Sequence, residues 1–275
     1  MDAGALEKLF SGKEAMGIFR SIRTSRILKE ALLPPDVWSW LIKDHPILDG
    51  LSPGELDRLR ELSTLFLGEK TFEGAEGLNL TDPMREVIAV QACVPVLNLG
   101  LGKYKDWKTV VVVPDVFIQE HKEFDQAGVA HEWEEDNSGE SWDSGPVVLS
   151  WKDVEASGWG DGYNVIIHEA AHRLDLLDGE MNGRPDLPEG MNAAEWLAVF
   201  SHAFEDLKQR AGKRKRRLKI DSYAIEDDAE FFAVTAEYFF EQPAVLRGEY
   251  PDVYRLFKDY FRQDPDSRRN AALSA

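Results

Sequence analysis

Cysteine is almost absent: Cys93 is the only one in 275 residues. A single thiol cannot close a disulfide within the chain, which excludes a cystine-stapled fold and fits a reducing compartment. Its neighbours Val90, Ala92 and Val94 mark it as a small buried hydrophobe rather than a reactive nucleophile. Long apolar runs are missing too. No segment approaches the roughly 20 apolar residues that a membrane-spanning helix needs, and the first thirty residues lack the unbroken apolar core of a secretory signal, so a cytoplasmic protein with no membrane contact is expected. Positive charge is scarce, with 32 Lys and Arg against 50 Asp and Glu, a net charge of −18. Binding to a phosphate backbone is driven by lysine and arginine, so direct nucleic-acid binding is not expected and a neutral or cationic partner suits the chain better. Internal repeats and long linkers are also lacking, and nothing forces a division into two domains.

What is present reads as one mixed α+β domain, mostly helical, with a small β-sheet before its central motif. "SPGELDRLRELSTLFLGEKTF" opens with Ser52-Pro53 and Glu55, a helix start signal, and carries Leu56, Leu59, Leu62 and Leu65 at helical spacing. A second helix runs from Asp82 towards Pro95. "KTVVVVPDVFI" is β-branched and stops or bends at Pro114, and "GPVVLSW", Gly145 to Trp151, is a short apolar strand after the polar, acidic loop "HEWEEDNSGESWDSG". Residues 1–35, amphipathic and charged with both signs, are expected to form an N-terminal helical arm. Residues 36–262 are expected to form the domain, and 263–275, "DPDSRRNAALSA" at their end, a polar C-terminal tail with little to bury.

The chemistry lies in "NVIIHEAAHRLDLLDG", Asn164 to Gly179. The stretch through Leu177 has no proline or glycine and is apolar at Val165, Ile166, Ile167, Ala170, Ala171 and Leu174, so it should be a mostly buried helix. Residues four apart share a helix face, so His168 and His172 turn both rings to one point, with Glu169 beside it. Two neutral imidazoles that hold an ion and an adjacent carboxylate that takes a proton from its water are the needs of a catalytic zinc, one per chain. Buried polar groups left unpaired cost about 1–3 kcal/mol each, and a metal gives this apolar helix a reason to carry three of them. Asp175 lies on the same face, where it could accept the second ring N–H of a ligand histidine or hold the following loop. Gly179 is placed to end the helix in a left-handed cap.

A third ligand has to come from elsewhere. His202 sits in the amphipathic "EWLAVFSHAFEDLKQ" and reads as a surface or half-buried residue, and His131-Glu132 has no second histidine at the required spacing. "IDSYAIEDDAEFFAVTAEYFFEQP" is the better source: a helix opens behind Asp227 and Asp228, with Glu230 in its first turns and Glu237 two turns on along nearly the same face. A carboxylate in so aromatic a helix is costly unless paired or bound to a cation, and spacing leaves both glutamates open.

The motifs "HEAAHRLD" and "AEFFAVTAEYFF", with "FEGAEGLNLTDPMREVIAVQACVPVLNLGL" and "HEWEEDNSGESWDSGPVVLSWKDV", resemble the Mlc titration factor A family of zinc metallopeptidases, from about Leu33 to Phe261. The active site of that family is similar to the catalytic domain of anthrax lethal factor. The resemblance implies a zincin of the gluzincin-like kind in which His168, His172 and Glu230 bind zinc and Glu169 is the catalytic base. Tyr223, seven before Glu230, would lean towards the reacting carbonyl. Lethal factor has a second glutamate four after its ligand, where this chain has Val234, which leaves Glu237 as the candidate to support a ligand. An aminopeptidase-like action on peptide or protein substrates is implied. So is binding of a Mlc-like transcriptional repressor, which carries the contrasting expectation of a protein that sequesters a regulator with weak or incidental peptidase activity. The run "KRKRRLK", Lys213 to Lys219, is a solvated loop, a docking patch for such a partner or a flexible cleavage-prone hinge.

Overall fold

The structure is a computed structural model that describes residues 23–43, 45–115, 145–212 and 218–273. Most of the N-terminal arm, residues 116–144 with His121 and nearly all of the acidic loop that starts at His131, and residues 213–217 of the basic run lie outside the described residues.

A helical stretch over 23–31 leads into α1 (Pro35–Lys43), after which α2 (Pro53–Glu69) starts as its sequence demands. Ser52 accepts a hydrogen bond from the Glu55 backbone N–H while Glu55 accepts one from the Ser52 N–H at 2.8 Å, so two of the orphan donors of the first turn are satisfied by one capping box. Strand β1 (Thr71–Gly74), helix α3 (Asp82–Cys93) and strand β2 (Thr109–Val113) follow, then β3 (Val147–Ser150). The three strands form a parallel sheet in the order β1-β2-β3, with Val110 opposite Phe72 on one side and Val147 on the other. Parallel strands need crossover connections, and α3 supplies the first. On β2 the side chains of Val110 and Val112 are buried while Val111 and Val113 are half-covered, the alternation of a strand with one face on the core. At the end of α3 Cys93 is fully buried, and burial pushes its thiol up, so it is the inert hydrophobe its neighbours imply.

The remaining elements are helices: α4 (Trp151–Ala156), α5 (Val165–Asp175), α6 (Ala193–Ala211), α7 (Asp228–Glu241), α8 (Pro243–Glu249), α9 (Pro251–Phe261) and α10 (Pro265–Leu273). Helix α7 is the hub. Phe231, Phe232, Phe239 and Phe240 are buried in an aromatic cluster with α6 and α9, where Trp196 stacks on Phe200 at 4.3 Å between centroids and Phe257 packs edge-on to Phe232 at 5.6 Å. Those rings fix the rotation of α7 about its axis. The face they leave over carries Glu230, Glu237 and Glu241 and packs against α5, which places Glu230 and Glu237 beside the two histidines and Glu241 beside Asn164 at the start of α5.

The segment expected as a polar tail, 263–275, is instead helix α10 over Pro265–Leu273. Its polarity has partners: Asp264 accepts from the Ser267 N–H at 3.2 Å, and Arg269 donates to the carbonyls of Glu241 and Phe240 at 2.7 Å each, so it closes the C-terminal end of α7. A single side chain serving two orphan carbonyls is worth about 1–3 kcal/mol. Arg269→Ala is therefore expected to lower the unfolding free energy by that amount in a urea titration, with an unchanged slope.

Candidate metal centre

Helix α5 is held at its first turn before any metal chemistry is considered. Asn164 caps it, its side chain accepting from the Ile167 N–H at 3.0 Å, while the Val165 N–H donates to Ser157 Oγ at 3.0 Å. From there the helix is buried on nearly every side. A short 3-10 turn, Leu176–Asp178, follows it, and Gly179 takes the left-handed conformation at φ 94° that the sequence assigns to it.

His168 and His172 lie 2% and 8% exposed, with their Nε2 atoms 3.0 Å apart. Glu230 reaches them from α7: one carboxylate oxygen is 3.1 Å from His168 Nε2 and the other 3.4 Å from His172 Nε2. Asp227 sets the register of that approach by accepting from the Glu230 N–H at 2.8 Å. The three side chains offer ligand atoms that all fall within 4.8 Å of one another. Bonds of about 2.0–2.1 Å in a tetrahedral site imply ligand atoms roughly 3.3 Å apart, so the spacing suits a cation between them. The donor chemistry agrees. Two ring nitrogens facing each other with a carboxylate can share only what one proton supplies, and Glu230 Oε2 is buried with no aligned donor. A divalent ion satisfies all three at once. Burial works against charging His168, but Glu230 and Glu237 outweigh it and hold the ring well above the usual histidine range. Burial likewise works against ionising Glu230, and the two histidines prevail, holding its carboxyl well below the carboxylate range.

Behind the first ring stands Glu237. Its Oε1 is 2.9 Å from His168 Nδ1 and its Oε2 accepts from the Asn164 N–H at 2.5 Å. A carboxylate on Nδ1 favours the tautomer that carries its proton there and leaves the Nε2 lone pair free for an ion. Of the two glutamates that spacing left open, Glu230 faces both histidines and Glu237 backs one of them. Val234, 3% exposed, belongs to the core.

One turn beyond Glu237, Glu241 is a residue that the sequence reading missed. It accepts from the Gly160 N–H at 2.6 Å and from Asn164 Nδ2 at 2.7 Å, and Gln91 Oε1 accepts from the same amide group at 2.7 Å. The signal was available: Glu230, Glu237 and Glu241 recur at seven and four in a helix otherwise apolar, and each buried carboxylate needs a donor. Burial pushes Glu241 up to about 7 from 4.5. The folded state then keeps its proton where the unfolded chain has released it, so this group's contribution to stability is full below about pH 4.5 and lost as pH rises through 7. Two and a half pH units correspond to roughly 3 kcal/mol. In urea midpoints measured from pH 4 to 8, Glu241→Gln is expected to flatten that decline.

Glu169 is 7% exposed and lies next to His168 in the chain, with Arg173 one turn on within electrostatic reach. Tyr223, in a 3-10 turn (Ser222–Ile225), is half-buried, and its ring lies 6.0 Å from that of His168. Asp175 was offered two tasks, and the structure shows it holding the loop: its Oδ2 accepts from the Gly183 N–H at 2.7 Å. Gly183 is tied in twice more. At φ 73° a Cβ there would come within 2.4 Å of the Asp228 carbonyl, and its own carbonyl accepts from Trp196 Nε1 at 3.0 Å. The loop after α5 is thereby pinned to the start of α7, which carries Glu230. His202 is exposed on α6, apart from this cluster.

Residues 19–262 match the family described as glucose-regulated metallo-peptidase M90. Among curated proteins, the Mlc titration factor A of Pectobacterium atrosepticum is 39% identical over 225 residues, covering 81% of this chain and 84% of its own length. Proteins of the same name from Yersinia pestis and Yersinia pseudotuberculosis are 35% identical, each covering 81% of this chain and 83% of their own length.

Proposed function

We propose, from the premise that the chain belongs to the glucose-regulated metallo-peptidase M90 family, that it is a zinc-dependent peptidase with an aminopeptidase-like action on peptides of neutral or cationic character. The observation that carries this reading is the convergence of His168 Nε2, His172 Nε2 and the Glu230 carboxylate on one point beside Glu169. A zinc ion held by those three side chains would lower the pKa of a bound water and polarise the scissile carbonyl.

The chain's own residues do the rest. Glu169 takes the proton from the attacking water and returns it to the leaving amine. Tyr223, on the His168 side of the site, donates a hydrogen bond to the carbonyl oxygen as negative charge develops there, an effect worth about 2.7–4 kcal/mol where one such donor is removed. Glu237 orients His168, and Asp175 steadies the loop after α5. The catalytic unit is assigned to residues 36–262, in the cytoplasm. No described helix is long and apolar enough to cross a membrane.

The test is metal content by elemental analysis on the purified chain, together with release of dye from aminoacyl and peptidyl substrates before and after chelation. Close to one zinc per chain, with hydrolysis lost on chelation and restored by zinc, supports the reading. A chain that neither holds metal nor turns over any substrate overturns it. A second reading rests on the relatives' printed name, Mlc titration factor A: the chain binds a Mlc-like transcriptional repressor. Co-purification with such a repressor that survives loss of both His168 and His172 would place that contact away from the metal centre.

A further inference from the structure

A cavity of about 500 Å³ opens between α1, α3 and the segment from Trp151 to Trp159, on the side of Asn164 where Gln91 lies. Three tryptophans line it, Trp40, Trp151 and Trp159. Trp40 and Trp159 are 55% and 54% exposed, an unusual outlay of indole surface to leave in water. The Trp159 N–H is already committed to the Glu155 carbonyl at 2.8 Å and His45 stacks along one side of its ring at 6.1 Å between centroids, so the residue offers its other ring face rather than a donor. Glu155 is the one acidic side chain among the residues that line the cavity, and His45 is the one imidazole; no lysine or arginine shares it. At its floor Gln91 is 1% exposed and directs its Oε1 to Asn164, while its Nε2 is buried without a hydrogen-bond partner. A buried amide donor left unpaired in an open cavity calls for an acceptor on whatever fills it. Aromatic faces beside a lone carboxylate, in a chain of net charge −18, suit a positive charge.

We propose that this cavity binds a small organic cation of the quaternary ammonium class that carries an oxygen acceptor next to its charged head. The charge of a methylated ammonium is spread over its methyl groups, so it is stripped of water at little cost and rests on indole faces. Glu155 balances the charge, and the oxygen accepts from Gln91 Nε2. Gln91 is a rigid donor because the fold holds it by Asn164. None of these groups belongs to the metal centre, and binding can be read without any hydrolysis, so the proposal stands or falls separately from the peptidase reading.

The experiment is a titration of the full chain with choline chloride, followed by tryptophan fluorescence against sodium chloride at matched ionic strength. Saturable binding at millimolar choline or below is expected. Tetramethylammonium, which lacks the oxygen, and the uncharged carbon isostere of choline should each bind more weakly. Trp40→Ala and Glu155→Gln, both on exposed side chains, are expected to weaken choline binding by about 5-fold or more with the far-ultraviolet spectrum and the melting temperature retained. No saturable change for wild type would overturn the proposal. So would choline binding that is matched by the uncharged isostere or unaffected in both variants. Equal binding of tetramethylammonium and choline would overturn the role given to Gln91.

Discussion

Glu169→Gln is expected to keep the metal of the proposed peptidase and to lower its hydrolysis by about 10²–10⁴-fold. The substitution is close to isosteric, and Glu169 supplies none of the three converging ligand atoms, so elemental analysis should return the wild-type metal content. What disappears is a group able to accept a proton. An amide has no basic oxygen at neutral pH, and proton transfer in the transition state then falls to bulk water. The position of Glu169 makes this specific. It is 7% exposed, one residue from His168 and one turn before Arg173, so it is fixed by a buried helix and does not sample solvent freely. A structural acidic residue at that place would show the reverse pattern, with stability changed and turnover kept. Turnover retained within 3-fold or so, alongside full metal, would remove Glu169 as the base and leave the reaction without a proton acceptor on α5.

How far the sequence alone reached follows from where its signals are local. Ser52 with Glu55, Asp227 and Gly179 punctuate helices through hydrogen bonds that span about three residues, and the structure has each where the spacing puts it. The pairing of His168 with His172 is legible for the same reason. The order of the sheet is not. Nothing in "TFEG", "TVVVV" or "VVLS" says that β2 lies between the other two or that all run parallel, because register between strands is set by the packing of distant residues. Choosing Glu230 over Glu237 as the group that faces both rings needed the rotation of α7, which the aromatic cluster with α6 and α9 fixes. Glu241 and Gln91 were passed over because their partners lie 77 and 73 residues away along the chain. The helix at Pro265–Leu273 was misread as a tail because its stabilising contacts are arginine-to-carbonyl bonds to α7 and to Ile47, which hydrophobic periodicity cannot register.

Glu230→Gln is expected to strip the site, whereas Glu237→Gln weakens it. Glu230 is the only acidic member of the converging set, and its carboxylate spans both histidines at 3.1 and 3.4 Å. Exchanging it for an amide removes the one negative charge that directly offsets a divalent ion in a buried place and leaves a poorer oxygen donor. Metal content after dialysis should fall to near zero and hydrolysis with it. Glu237 acts one step back, through His168 Nδ1, and also holds the Asn164 N–H at the start of α5. Loss of such an orienting carboxylate costs typically 10–100-fold in metal affinity, so this variant should hold metal at high free zinc and release it to a chelator that wild type resists. The two can therefore be told apart by competition with a chromogenic chelator over a range of zinc concentrations. Equal retention by both would mean that Glu230 is not a ligand. Equal loss would mean that Glu237 is needed to build the site and not merely to orient His168, since the turn capped by Asn164 would then open with it.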